Sequence, residues 1–141
     1  MTELIGYFDG ECRGNEQKTD PTKREMRIAH VIGERQVVHS ALHPQPSNNV
    51  AEYIALIQLL EHILKYRPQF RGLPVTKYII IGDSQLVIRQ MCGEYKVKNS
   101  VLLPLFDHAR GLVAFLVLRG LDIEFRWVPR EQNPAGRLLE R

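Results

Sequence analysis

Apolar residues in the first 42 positions occur in short runs bounded by turn residues, and over residues 26–32 they follow a period of two, which is typical of a β-strand. Residues 4–8 predict a first strand, and Asp9-Gly10 predicts a turn directly after it. The polar stretch 11–23 predicts a loop. Alternation over residues 26–32 predicts a second strand, and residues 37–42 predict a third. Strands that follow each other through short turns are expected to pair antiparallel.

The rest of the chain alternates helices with strands. Apolar residues at positions 50, 54, 57, 60 and 64 have helical spacing and predict a helix over residues 50–66, with N-cap candidates just before it. The apolar run 78–81 predicts a buried strand that ends at Gly82-Asp83. The remaining predicted elements are helices over 84–92 and 102–118, a strand over 123–128, and a last helix that begins at Asn133-Pro134.

This order of elements predicts one α/β domain over residues 1–141. We expect a five-stranded mixed sheet, with three antiparallel strands followed by two parallel ones and helices on both faces. In such sheets, polar groups just past the carboxyl ends of the central parallel strands meet in one crevice. Asp9 and Asp83 hold that position on two different strands.

The amino-acid composition favours a globular protein over a disordered or membrane-spanning one. The 141 residues are 44% hydrophobic and 25% charged, the balance of a globular domain. Apolar runs are too short to span a membrane, and the first residues do not resemble a secretory leader. We therefore expect a cytoplasmic protein with no membrane partner and no obligate protein partner. The net charge of +3 permits a polyanionic partner, whereas two cysteines and five histidines show no metal-ligand spacing.

Three carboxylates are predicted to converge. Glu52 lies near the start of a helix that must cross the sheet, close to the strand ends that carry Asp9 and Asp83. Like charges at such short range are unfavourable unless cations hold them, and hard divalent cations such as Mg²⁺ prefer oxygen ligands. Two ions about 4 Å apart can activate water and stabilise the leaving oxygen of a phosphodiester. The pattern favours phosphoryl-transfer chemistry.

Four segments carry a resemblance to a known family: Tyr7-Phe8-Asp9-Gly10, Asn48-Asn49-Val50-Ala51-Glu52, Gly82-Asp83-Ser84-Gln85 and Asn133-Pro134-Ala135-Gly136. In this order they resemble ribonuclease H type 1, especially its shorter archaeal and bacterial version without a basic protrusion. The resemblance implies a ribonuclease H-like fold and an endonuclease that hydrolyses the RNA strand of RNA/DNA hybrids. It also implies two Mg²⁺ or Mn²⁺ ions, with Asp9, Glu52 and Asp83 as catalytic metal ligands.

The resemblance, together with the positions of three basic residues, predicts how the hybrid is bound. Amide side chains and backbone groups can both donate to and accept from a 2′-hydroxyl. Lysines at a surface edge suit the phosphates of the DNA strand, and an arginine near the last strand suits a phosphate. The predicted contacts are the side chains of Asn15, Asn48, Asn49, Gln85, Lys96, Lys98 and Arg130, and the backbone of Gly10 and Cys12.

Gly136 departs from the family pattern, which has a final aspartate at this position. Glu140, one helical turn further on, or Glu131, in the preceding loop, could hold the second metal through water. Alternatively the site is weakened and the domain binds hybrids while cutting slowly, or the glycine was introduced to trap a complex. We expect natural divergence with reduced activity.

A 3′–5′ exonuclease is a further alternative, because Asp9-Gly10-Glu11 matches the Asp-x-Glu of such enzymes.

Overall fold

The computed structural model describes residues 2–13 and 24–140. Five strands form one sheet in the order β3-β2-β1-β4-β5. The β1–β2 and β2–β3 pairs are antiparallel, and the β1–β4 and β4–β5 pairs are parallel, which confirms the predicted mixed sheet. The elements are β1 (Glu3–Arg13), β2 (Glu25–Ile32), β3 (Arg35–Ala41), α1 (Asn48–Tyr66), β4 (Lys77–Gly82), α2 (Gln85–Met91), α3 (Leu102–Leu118), β5 (Asp122–Trp127), a 3₁₀ turn (Arg130–Gln132) and α4 (Pro134–Leu139).

Strand β1 is longer than the sequence predicts. The expected turn at Asp9-Gly10 is wrong, because the strand continues to Arg13 with Asp9 opposite Ala29 of β2. Strand β4 pairs with β1 only as far as Tyr7. Asp9 therefore lies two residues past the end of the parallel pairing, so it still faces the crevice at the carboxyl ends of these strands.

Helices cover both faces of the sheet, as predicted. Helix α1 lies across β1 and β2, and α3 packs against α1, which buries the main hydrophobic core on this face. On the other face, Ala135, Leu138 and Leu139 of α4 pack against Ala29 of β2. Asp9 and the short helix α4 share this second face, because side chains alternate along β1 and the odd-numbered ones point away from α1.

The start of α1 is fixed by Ser47. The Ser47 hydroxyl accepts a hydrogen bond from the backbone N–H of Val50 at 3.1 Å, so Ser47 is the N-cap and Asn48 is the first helical residue. The helix thus begins two residues before the predicted Val50, which leaves the side chains of Asn48 and Asn49 available for other contacts.

The helices of the structure can be assessed for their ability to span a membrane. Among residues 2–13 and 24–140, no helix is both long enough and apolar enough to cross a bilayer.

Candidate active site

Three carboxylates from distant parts of the chain meet at one end of the sheet. Asp9 comes from β1, Glu52 from the first turns of α1, and Asp83 from the residue after β4. Each offers an oxygen within 4.8 Å of the others. Asp9 and Glu52 are buried, whereas Asp83 is half-buried and gives the group its access to solvent. The structure thus brings together the three side chains that the sequence pattern grouped.

Glycine at position 10 allows α1 to approach β1 closely. A Cβ atom on Gly10 would lie 2.3 Å from the backbone carbonyl of Ala51, so no larger residue fits without moving the helix. The N–H of Gly10 donates a hydrogen bond to Oε1 of Glu52 at 3.1 Å. The strand backbone therefore orients one of the three carboxylates.

Asn133 connects the start and the end of the chain at this site. It is fully buried, and its Nδ2 donates both to the Phe8 carbonyl at 2.9 Å and to Oδ2 of Asp83 at 3.2 Å. Its Oδ1 accepts from the N–H of Ala135 at 3.1 Å and caps α4. The sequence predicted Asn133 as the start of a helix and as part of a family segment, but gave it no role of its own in the site. The signal available there was the Asn-Pro pair, which predicts a cap but not the contact with Asp83.

Three of the carboxylate oxygens in this group receive no hydrogen bond from the described residues. Within the described ranges, both oxygens of Asp9 and Oε2 of Glu52 have no hydrogen-bond partner. Burial raises the pKa of Glu52 well above its usual value, and the nearby Asp9 and Asp83 raise it further. Burial and the charge of Asp9 also raise the pKa of Asp83, although Asn133 and Arg130 oppose this shift. Buried carboxylate oxygens that repel each other and receive no hydrogen bond are suitable ligands for a hard divalent cation.

The side chain of Arg130 places a positive charge beside this group. Its Nη1 lies 3.8 Å from Oδ2 of Asp9, and its side chain is 54% exposed. The guanidinium is therefore close to the carboxylates and also accessible to solvent.

Gly136 faces the carboxylates directly. A Cβ atom built on it would lie 3.1 Å from Oδ2 of Asp9 and 3.8 Å from Oδ2 of Asp83. A side chain at this position would enter the acidic group. Glu131, exposed on the 3₁₀ turn, and Glu140, exposed at the end of α4, do not belong to the group of three.

The other predicted contact residues differ in burial and in the hydrogen bonds that they form. Asn48 Oδ1 accepts from the N–H of Cys12 at 2.8 Å, so the N–H groups of both Gly10 and Cys12 are engaged within the protein. A contact of these two residues with a 2′-hydroxyl would have to use their carbonyl oxygens. Asn49 is half-buried, whereas Gln85, Lys96 and Lys98 are exposed, and Asn15 lies outside the described residues.

Solved structures of known proteins share this fold. The N-terminal RNase H domain of Rv2228c from Mycobacterium tuberculosis matches with a TM-score of 0.74 and 29% identity, over 98% of this chain and 91% of that one. RNase H1 from the halophilic archaeon Halobacterium salinarum matches with a TM-score of 0.67 and 29% identity, over 98% and 94%. The sequence model of the reverse transcriptase-like family matches residues 8–139. This chain belongs to that family, in its ribonuclease H type 1 branch.

Two further comparisons place this ribonuclease H type 1 chain among its relatives. The structure of LC11-RNase H1 in complex with an RNA/DNA hybrid matches with a TM-score of 0.63 and 29% identity, over 93% of this chain and 88% of that one. The bifunctional protein Rv2228c is 38% identical over 87 residues, which are 62% of this chain. The aligned part is about 21% of the length of that curated relative.

Proposed function

We propose that this chain is an endonuclease that hydrolyses the RNA strand of RNA/DNA hybrids with the help of Mg²⁺ or Mn²⁺. The observation that carries the proposal is the convergence of Asp9, Glu52 and Asp83, in which both oxygens of Asp9 and Oε2 of Glu52 receive no hydrogen bond from the described residues. Family membership and the hybrid-bound LC11-RNase H1 structure support the substrate class.

Asp9, Glu52 and Asp83 would hold the cations, two in number by resemblance to the family. Bound divalent ions would lower the pKa of a water nucleophile and stabilise the charge on the phosphodiester oxygens. The chain's own groups prepare this site. The Gly10 N–H orients Glu52, and Asn133 orients Asp83. Arg130 would bind a phosphate of the RNA strand, because its guanidinium is partly exposed beside Asp9.

The remaining contacts would place the hybrid across the sheet end. Exposed Gln85 and half-buried Asn49 would meet the strands near the carboxylates, together with Asn48 and Asn15. Lys96 and Lys98, both exposed between α2 and α3, would contact phosphates of the DNA strand. Glu131 or Glu140 would hold the second cation through water. Because Gly136 supplies no carboxylate, we propose weaker binding of that cation and a reduced rate.

Cleavage of a labelled hybrid in Mg²⁺ and in Mn²⁺ tests the proposal. We expect the RNA strand to be cut and Asp83→Asn to lower the rate by more than about 100-fold, because loss of a direct ligand exceeds the 10–100-fold typical of a supporting residue. Asp107→Asn, at an exposed position on α3, is the matched control and should cut normally. Equal cutting of single-stranded RNA, duplex DNA and hybrid would refute the proposal.

A hybrid-binding module that has lost its chemistry is the second candidate, and Gly136 favours it. It predicts tight hybrid binding with no cleavage, and a large gain of cleavage in Gly136→Asp.

The exonuclease alternative has less support. It would need Glu11 beside Asp9, but Glu11 forms an ion pair with Arg13 at 2.7 Å and lies outside the group of three carboxylates.

A further inference from the structure

A second candidate site lies at the opposite end of the sheet. Two cavities of about 780 Å³ and 340 Å³ share the side chains of Arg35, His62 and Tyr66 in their linings and are therefore adjacent, and we name the pair the far groove. Leu4 of β1 lines it. Asp9 lies five residues further along β1, roughly 17 Å away at 3.4 Å per residue. The far groove is therefore separate from the carboxylates.

One of the residues that line the smaller cavity of the far groove carries a buried polar atom. His30 lines this cavity and is only 4% exposed, yet its Nε2 has no hydrogen-bond partner within residues 2–13 and 24–140. The ring of His62 lies 5.5 Å from that of His30, centroid to centroid. A buried polar group without a partner is rare in native proteins, and a missing ligand is one explanation for it.

The charges around His30 favour an anion as that ligand. Arg35 and Lys65 line the same cavity, together with His39 and His62. Glu61 is its one acidic side chain among the residues described, so the cavity carries more positive than negative charge with all histidines neutral. Arginine forks and imidazole N–H groups are suited to phosphate oxygens.

The larger cavity offers aromatic and apolar surfaces. Tyr66 and Phe70 line it and are 57% and 42% exposed, and Leu4 and Ile32 add apolar walls. Glu34 also lines this cavity, together with the cations Arg35 and Arg71. Exposed aromatic faces among basic side chains are typical of surfaces that stack nucleobases.

A strained turn presents Phe70 to this cavity. Phe70 and Leu73 form an antiparallel bridge around Arg71 and Gly72, whose φ values are 51° and 77°. Positive φ at both central residues is the type I′ arrangement, which is sterically unfavourable for arginine. The Arg71 guanidinium lies 5.2 Å from the centre of the Phe70 ring. The turn thus places an aromatic face and a cation together at the rim.

We propose that the far groove binds a nucleotide unit, with the phosphate in the cavity of His30 and Arg35 and the base against Tyr66 and Phe70. The unit is either a free nucleotide or one residue of a single strand, because both present the same phosphate and base. The proposal uses no residue of the carboxylate site, so it stands or falls independently of hybrid cleavage.

Nuclear magnetic resonance of the histidine side chains tests the proposal on the full chain, with a chelator present to remove divalent ions. We expect uridine monophosphate to shift the His30 and His62 signals in a saturable way, and uridine, which lacks the phosphate, to bind at least tenfold more weakly. Arg35→Ala should weaken binding of the nucleotide about tenfold. Tyr66→Ala should also weaken binding of the nucleotide. Inorganic phosphate, which has no base, should shift the histidine signals only weakly, and Tyr66→Ala should not change that shift.

The controls separate the far groove from general attraction to anions. Arg119→Ala is the matched control, because Arg119 also lies over an exposed ring, that of Phe115, but on α3 away from the groove. It should bind uridine monophosphate normally. Tighter binding of octauridylate than of the mononucleotide would identify a single strand as the source, and equal binding would identify the free nucleotide. Unchanged His30 and His62 signals, or equal effects of Arg35→Ala and Arg119→Ala, would overturn the proposal.

Discussion

Replacing Gly136 with aspartate should make the stability of the protein depend strongly on divalent cations. The new carboxylate would start from a Cβ 3.1 Å from one oxygen of Asp9 and 3.8 Å from one of Asp83. A pair of unit charges 4 Å apart costs about 4 kcal/mol at an effective dielectric constant of 20. Protonation of the new carboxyl limits the destabilisation to a similar value. At pH 7 the group could avoid the repulsion by taking up a proton, and raising a carboxyl pKa from about 4 to 7 costs about 4 kcal/mol.

Favourable contact with the N-terminus of α4 offsets about 0.3–1 kcal/mol of this cost. We therefore expect Gly136→Asp to lower the free energy of unfolding by about 3 kcal/mol in a chelator at pH 7. Saturating Mg²⁺ should restore the loss, since a cation at 100 times its dissociation constant stabilises the folded state by about 2.7 kcal/mol.

Urea denaturation of Gly136→Asp and of the uncharged control Gly136→Asn, each in chelator and in Mg²⁺, checks this expectation. Both variants add a side chain of similar size, so their difference isolates the charge. The reasoning would be refuted if the two variants were equally stable in chelator, or if Mg²⁺ stabilised both by the same amount. Either result would mean that position 136 does not face the acidic group.

Three other substitutions test the described contacts. Asn133→Ala should lower the free energy of unfolding by about 2–4 kcal/mol in urea titrations, because it removes the cap of α4 and leaves the Phe8 carbonyl unpaired; a loss below 1 kcal/mol would contradict this. Gly10→Ala should displace α1 and lower Mg²⁺ affinity in calorimetry, since its Cβ would lie 2.3 Å from Ala51; unchanged affinity would show that the contact is not needed. Burial lowers the pKa of His30 to about 4, so the unfolded chain binds a proton between pH 6.5 and 4 that the folded one does not. The contribution of His30 to stability should therefore fall by up to about 3 kcal/mol as the pH drops through this window, and the difference in unfolding free energy between the unchanged protein and His30→Leu should change by that amount in unfolding curves.

The fold was predictable because its strands and helices carry the expected apolar periods. The exception is β1, where glycines occupy two of the inward positions, at Gly6 and Gly10. These glycines weaken the alternation, and Asp9-Gly10 is a common turn pair. The reason for Gly10 is the close approach of Ala51, a contact between residues far apart in sequence. No local pattern could reveal it.

The candidate site was predictable only in part for a similar reason. The convergence of the carboxylates follows from strand topology, which the order of elements predicts. The hydrogen bond from Asn133 to Asp83 and the approach of Arg130 to Asp9 depend on how the last segment folds back over the sheet. Such contacts are set by tertiary geometry, so the sequence offered residue types there but no partners.

The bond between Asn133 and Phe8 spans 125 positions of the chain. During synthesis, β1, β2 and α1 can associate early, but Asp83 receives its orienting donor only after residue 133 has emerged. A nascent or truncated chain would thus already hold most of its sheet while its acidic side chains remain imperfectly aligned. Under the proposed function, the carboxylates would be fully positioned only after the last helix docks.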